Sequence, residues 1–132
     1  MQFGSVSGLI IGRGNRVAFL VKLVVIDDAP PVVSDTPALV RLRSSPEIEL
    51  ELFDTLPSGT DEIVERIATA HTVLNVRTST RFDYEVLSRC GRLKHLALWG
   101  ANTGHVDLES AQRFGITVTN TPGIATESVA EH

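Results

Sequence analysis

Residues 72–99 read Thr72-Val73-Leu74-Asn75-Val76, then Arg77-Thr78-Ser79-Thr80-Arg81-Phe82, then Asp83 to Gly91, and close on His95-Leu96-Ala97-Leu98-Trp99. The two outer runs are short and largely apolar, as buried strands are. The segment from Asp83 to Arg89 reads as a helix, and Cys90-Gly91 ends it because glycine relieves the left-handed position after a last helical turn. Strand, helix and strand at this spacing form a unit whose strands run parallel, joined by a right-handed crossover.

The same alternation extends in both directions. Phe19 to Ile26 is apolar except for Lys22, the pattern of a strand buried on both faces. Ser34 to Arg43 reads as a short helix with Thr36 as cap and Pro37 at the tolerated first position. Ile48 to Phe53 alternates with glutamates, which places it at a sheet edge. After the turn Pro57-Ser58-Gly59, Thr60 is expected to cap a helix whose apolar positions are Ile63, Val64, Ile67 and Ala68. Asp107 to Phe114 is a further helix, Ile116 to Thr119 a strand, and Thr126 caps a helix running to His132. The expected fold is α/β, a flavodoxin-like doubly wound parallel sheet of five strands in the order 2-1-3-4-5. Residues 1–19 are expected to be a disordered or loosely packed extension, residues 20–125 the domain, and residues 126–132 the start of a hinge helix.

Composition narrows the function. The chain has 132 residues, 42% of them hydrophobic, which suits one domain with one core. With 16 Asp+Glu against 12 Lys+Arg and no basic run, it lacks the cationic face a nucleic acid requires. No apolar run approaches the ~20 residues of a membrane span, and Arg13 and Arg16 stand where a signal-peptide cleavage site would need small residues. A cytoplasmic location is the expectation. The single cysteine cannot form an internal disulfide, and no Cys/His set has metal-ligand spacing. The pair Gly12 and Gly14 is not a nucleotide loop, because Val17 stands in place of the third glycine and a strand pattern follows.

In an open parallel sheet, ligands bind beyond the carboxyl ends of the strands. That rule selects the loops 27–31, 77–81, 100–106 and 120–125. Arg77-Thr78-Ser79-Thr80 offers a guanidinium and three hydroxyls, and Gly100-Ala101-Asn102-Thr103-Gly104-His105 can present backbone N–H groups to an anion. Together they suggest a carboxylate or phosphate site, although any single one of these residues reads better as serving a turn or a cap. Val24 to Asp28 resembles the first strand and acidic pair of response-regulator receiver domains. The strand ending Asn75-Val76-Arg77 lacks their phospho-accepting Asp, and Asn120-Thr121-Pro122 lacks their Lys. The receiver reading therefore fails, and Asp27 and Asp28 are expected to be a solvated strand end or a cap.

Several motifs recur together in the second half of the chain: Val76-Arg77-Thr78-Ser79-Thr80, Leu93-Lys94-His95-Leu96, Gly100 to Leu108, Gly115-Ile116-Thr117-Val118, Asn120-Thr121-Pro122-Gly123 and Glu127 to His132. In this order they resemble the D-isomer-specific 2-hydroxyacid dehydrogenases, the family that includes phosphoglycerate dehydrogenase. The resemblance implies an oxidoreductase that interconverts 2-keto and D-2-hydroxy acids with NAD or NADP, of which this chain is the substrate-binding (catalytic) domain. It assigns Arg77, Thr78, Ser79, Gly100, Ala101, Asn102 and Thr103 to the substrate. Asn120, Thr121, Pro122 and Ser128 fall beside the nicotinamide. Asn102 and Gly104 depart from the family's Gly-Val-Gly-x-Asp, and Ala125 replaces the Asn of formate-type relatives, which argues against formate.

The family's Gly-x-Gly-x-x-Gly loop and its catalytic Arg, Glu and His correspond to positions beyond His132. By this resemblance the chain contains no catalytic residue, binds no dinucleotide by itself and is inactive alone. The other reading is a standalone flavodoxin-like module that binds a small anion or regulates. A missing family helix would leave an apolar sheet face open, so self-association is expected.

Overall fold

The sheet is built where the β-branched runs predict it. The computed structural model describes residues 9–11 and 17–121. A small antiparallel pair, β1 (Leu9–Ile11) and β2 (Val17–Phe19), precedes the main sheet. Five parallel strands follow: β3 (Val21–Val25), β4 (Ile48–Leu52), β5 (Thr72–Asn75), β6 (His95–Leu98) and β7 (Thr117–Thr119). Their spatial order is β4-β3-β5-β6-β7. Numbered among themselves, that is the expected 2-1-3-4-5, with the glutamate-bearing β4 at an edge. The register sets Leu23 against Thr72, Val73 against Leu96 and Leu96 against Val118.

Within residues 1–19, expected as a disordered or loosely packed extension, Leu9–Ile11 and Val17–Phe19 form the antiparallel pair β1–β2. Leu9-Ile10-Ile11 and Val17-Ala18-Phe19 are two short apolar runs flanking a glycine-bearing stretch, which is a hairpin pattern. Phe19, expected in the first strand of the sheet, belongs to this pair instead. The helix expected from Thr126 lies outside the described residues.

Four helices connect the strands: α1 (Pro37–Ser44), α2 (Thr60–Ile67), α3 (Tyr84–Ser88) and α4 (Leu108–Arg113). Thr36, Asp83 and Asp107 cap α1, α3 and α4 by accepting from the N–H groups of Leu39, Val86 and Ser110. Helix α2 corrects the sequence reading, because Gly59 holds its cap position and Thr60 is its first helical residue. The Glu62 carboxylate reaches back to the Ser58 N–H (2.8 Å), serving a donor that a cap side chain cannot reach here. That bond, with Arg66 alongside, lowers the Glu62 pKa to about 2.

Packing on the two faces is unequal. Helices α2, α3 and α4 close the main core over Val24, Ile26, Val73, Leu96 and Leu98. Helix α1 covers a smaller cluster of Val25, Val33, Leu39 and Val76 on the other face. On that second side β6 and β7 carry His95, Ala97, Thr117 and Thr119, none of them in either core cluster. Among the described residues, no helix is long and apolar enough to cross a membrane.

One buried cation joins α2 to the strand ends. Arg66 donates to the Ile26 and Thr55 carbonyls (both 2.7 Å), to Thr55 Oγ1 and to Glu62, and its guanidinium lies 4.5 Å from the centre of the Phe53 ring. Replacing it leaves the buried Ile26 carbonyl without a donor. Arg66→Leu is therefore expected to lower stability by about 2–3 kcal/mol, measured as the midpoint shift in urea unfolding. A loss within the error of the measurement would show that this cation is not structural.

Candidate functional site

Asp27 ends the most buried strand and, like Asp28, is fully buried (0% exposed). The expectation of a solvated strand end is thus corrected, and the reason is a supply of donors. Asp27 accepts from the N–H groups of Val76 (2.7 Å) and Arg77 (3.2 Å), from Asn75 Nδ2 (2.7 Å) and from the Thr80 hydroxyl. Asp28 is not a helix cap either, since Thr36 caps α1, but it ties down the loop before that helix. It accepts from the N–H groups of Val32, Val33 and Ser34 and shapes the loop leading to α1. Each carboxylate replaces its lost hydration with backbone and side-chain donors, which is the condition for burying it.

Asn75 continues this network. Its Nδ2 faces two acceptors, Asp27 and the Arg77 carbonyl, so its Oδ1 turns the other way and meets His105 Nε2 at 2.6 Å. The imidazole proton is therefore on Nε2. His105 Nδ1 is buried with no hydrogen-bond partner, and burial lowers the ring's pKa, with Asp27 opposing and Arg81 reinforcing. The neutral ring is the form that fits.

The rim loops are tied to each other at several further points. Arg77 Nη2 donates to the Pro30 carbonyl, joining the loop after β5 to the loop after β3. The Trp99 N–H donates to the Asn75 carbonyl (2.8 Å), and Phe82 pairs in parallel with Val106. Gly100, at φ +125°, turns the chain sharply after β6, a conformation side-chain-bearing residues rarely adopt. Its N–H donates to Thr121 Oγ1 (2.7 Å), while Asn102 Oδ1 accepts from the Gly104 N–H (2.8 Å). Asn120 Nδ2 donates to the Ala101 carbonyl (3.2 Å).

These bonds sort the expected site residues. Thr78, Ser79, Ala101 and Asn102 are exposed on the rim, and Arg77 and Thr103 are half-buried. Among the described residues, the N–H groups of Ala101, Asn102 and Thr103 donate to no protein acceptor. Asn120 and Thr121 brace the Gly100 turn. Pro122 and Ser128 lie outside the described residues. Sequence reading missed Asp27, Asn75, Thr80 and His105 as a connected set. The available signal was Asn75, a polar residue in an otherwise apolar strand, since a buried amide needs partners. No group of His, Cys, Asp and Glu among the described residues could hold a metal ion.

Residues 24–132 match the model of the D-isomer specific 2-hydroxyacid dehydrogenase family, catalytic domain. The chain belongs to this family. Glyoxylate reductase from Aeropyrum pernix is 33% identical over 84 residues, which cover 63% of this chain and 25% of that protein. D-3-phosphoglycerate dehydrogenase from Methanocaldococcus jannaschii is 32% identical over 112 residues, covering 85% of the chain and 20% of that protein. The crystal structure of the TT0316 protein from Thermus thermophilus superposes with a TM-score of 0.68 at 33% identity, over 81% of this chain and 32% of that one. NAD+-bound 3-phosphoglycerate dehydrogenase from Entamoeba histolytica gives 0.71 at 25% identity, over 85% and 36%. The five-stranded parallel sheet and its flanking helices are thus those of a 2-hydroxyacid dehydrogenase catalytic domain.

Two histidines of this dehydrogenase domain make its stability pH-dependent. His71 Nδ1 accepts from the Lys22 N–H (2.9 Å), so its ring must also be neutral. Burial, followed by the Arg92 charge, lowers its pKa from 6.5 against the pull of Glu49. As pH falls below 6.5, the unfolded chain protonates first, and stability held above that value is lost toward the lower folded values. His71→Asn and His105→Gln keep the acceptor and the donor, respectively, without titrating. Urea midpoints measured from roughly pH 7 to pH 5, a range bracketing the ordinary imidazole pKa, should fall for the unsubstituted chain and stay nearly level for the double variant. Parallel falls in both proteins would refute the assignment.

Proposed function

We propose that the rim formed by Arg77, Thr78, Ser79 and Gly100 to Thr103 holds the carboxylate of a small 2-keto or D-2-hydroxy acid. The observation that carries this reading is the set of outward-facing donors on two adjoining loops. The Ala101, Asn102 and Thr103 N–H groups are unspent on the described protein, and Thr78 and Ser79 are exposed next in the chain to half-buried Arg77, whose Nη2 donates to Pro30 and whose Nε has no partner among the described residues. Successive N–H groups left without a protein acceptor suit a carboxylate oxygen. Likeness to glyoxylate reductases and phosphoglycerate dehydrogenases supports the substrate class.

The described residues do not fit a dinucleotide. The Gly100 N–H is taken by Thr121, the Asn120 amide by Ala101, and no glycine-rich turn opens a helix. NAD or NADP, the catalytic Arg, Glu and His, and hydride transfer are therefore assigned to the complete enzyme, with Asn120 and Thr121 on the side nearer the nicotinamide. This chain's residues hold and orient the acid. The complete enzyme is proposed to work in the cytoplasm.

Oxalate and glyoxylate titrated into the 15N-labelled chain should shift the amides of residues 77–80 and 101–103, and Arg77→Ala should weaken that response several-fold, as expected on removing a charged hydrogen-bond partner. Shifts confined to other loops would defeat the assignment. The chain alone should not oxidise NADH with glyoxylate or hydroxypyruvate, because a proton donor and a bound nicotinamide are both required. Turnover abolished by Arg77→Ala would contradict this. The second sheet face over β6 and β7 carries His95, Ala97, Thr117 and Thr119 and is largely polar, not the apolar face expected, so the exposed Trp99 beyond it is the apolar contact proposed for self-association. Light scattering should show a mass that rises with concentration, and a constant monomer mass would remove that proposal.

A further inference from the structure

The buried groups behind the rim have no access to a ligand, yet they connect its two donor-bearing loops. Asp27 gathers the Val76 and Arg77 N–H groups, the Thr80 hydroxyl and the Asn75 amide. Asn75 then passes to His105, at the end of the other loop. Val76 to Thr80 is thus held at both ends by one carboxylate, with Thr78 and Ser79 left to face outward. His105, in turn, fixes the exit of the 100–105 loop, since its carbonyl accepts from the Phe82 N–H (2.9 Å).

Resting on the substrate-site reading above, we propose that Asp27, Asn75, Thr80 and His105 are positioning residues that set the two donor loops in one geometry and so determine how tightly the acid is held. Every polar atom in the chain from Thr80 to His105 Nε2 has a dedicated partner. A loss at one end leaves a buried group unsatisfied at the next, so the disturbance travels along the network rather than staying local. Asn75 is the adaptor, because its amide donates to the Asp27 carboxylate and to the Arg77 carbonyl while its oxygen accepts from the imidazole.

The test uses the 15N-labelled 132-residue chain and perturbs the network from either end. Thr80→Val removes a donor to Asp27, and Thr80→Ser retains it. His105→Leu strands the Asn75 carbonyl oxygen, and His105→Gln supplies a similar N–H. Hydrogen exchange at the Arg77 amide should quicken about tenfold in Thr80→Val and His105→Leu, the effect of one net hydrogen bond. It should return to the original rate in Thr80→Ser and His105→Gln, and exchange at Val24 and Leu96 in the sheet should not change. Oxalate should bind several-fold more weakly to the first pair of variants and normally to the second.

If His105→Leu leaves Arg77 exchange unchanged, or if exchange quickens equally at Val24 and Leu96, the coupling is refuted whatever oxalate does. If the loops respond as stated but oxalate binds all four variants equally, the network holds the fold and positions no ligand. Should oxalate shift no rim amide in the unsubstituted chain, the substrate-site reading fails, and the positioning role fails with it. Should Thr80→Val not fold, the His105 pair decides the outcome alone.

Discussion

A carboxylate buried at the carboxyl end of the central strands is the constraint on which the functional end of this domain depends. Asp27 is removed from water and would be costly there without compensation. Its compensation comes from β5 and the loop after it, so the end of β3 and the end of β5 cannot separate without stranding the charge. The carboxylate therefore fixes the course of the Arg77 loop more firmly than apolar packing could, because apolar contacts have no direction and hydrogen bonds to a carboxylate do. Asp28 acts in the opposite direction along the chain, shaping the loop that begins α1.

Much of the architecture was legible because each strand announces itself by local composition. The apolar run through β3 and the glutamates of β4 give burial on two faces and at an edge, and the observed strand order agrees. Caps at Thr36, Asp83 and Asp107 sit at or next to the expected helix starts, since a side-chain oxygen before an apolar period has a local function. Gly59 was missed because the donor at the start of α2 is served from inside the helix, by Glu62, and that choice depends on the turn before it. The β1–β2 pair was missed because three-residue strands carry too little periodicity to register.

The site divides along the same line. Outward-facing groups such as Arg77, Thr78, Ser79 and Asn102 could be chosen from the general rule that ligands sit beyond parallel strand ends. The pairing of Asp27, Asn75, Thr80 and His105 could not, because they lie 48, 53 and 30 positions apart in the pairs that define it. No local pattern encodes such partnerships. An acidic pair at a strand end resembles solvated punctuation in sequence, and only its burial shows that it is a scaffold.

The division of polar groups into inward and outward sets explains how one short loop can be both rigid and receptive. Thr80 spends its hydroxyl on Asp27, so the loop is anchored without using the groups that face solvent. Thr121 does the same on the neighbouring loop, taking the Gly100 N–H and returning its own hydroxyl to the Leu98 carbonyl (3.2 Å). With those anchors satisfied, the N–H groups of Ala101 to Thr103 donate to no acceptor among the described residues, and a ligand of the kind proposed would find them already ordered. A loop whose outward donors had to satisfy its own fold would be equally rigid and would bind nothing. On the loop after β5 it is the buried Asp27 carboxylate that provides this anchoring, because it holds the loop without drawing on Thr78 or Ser79.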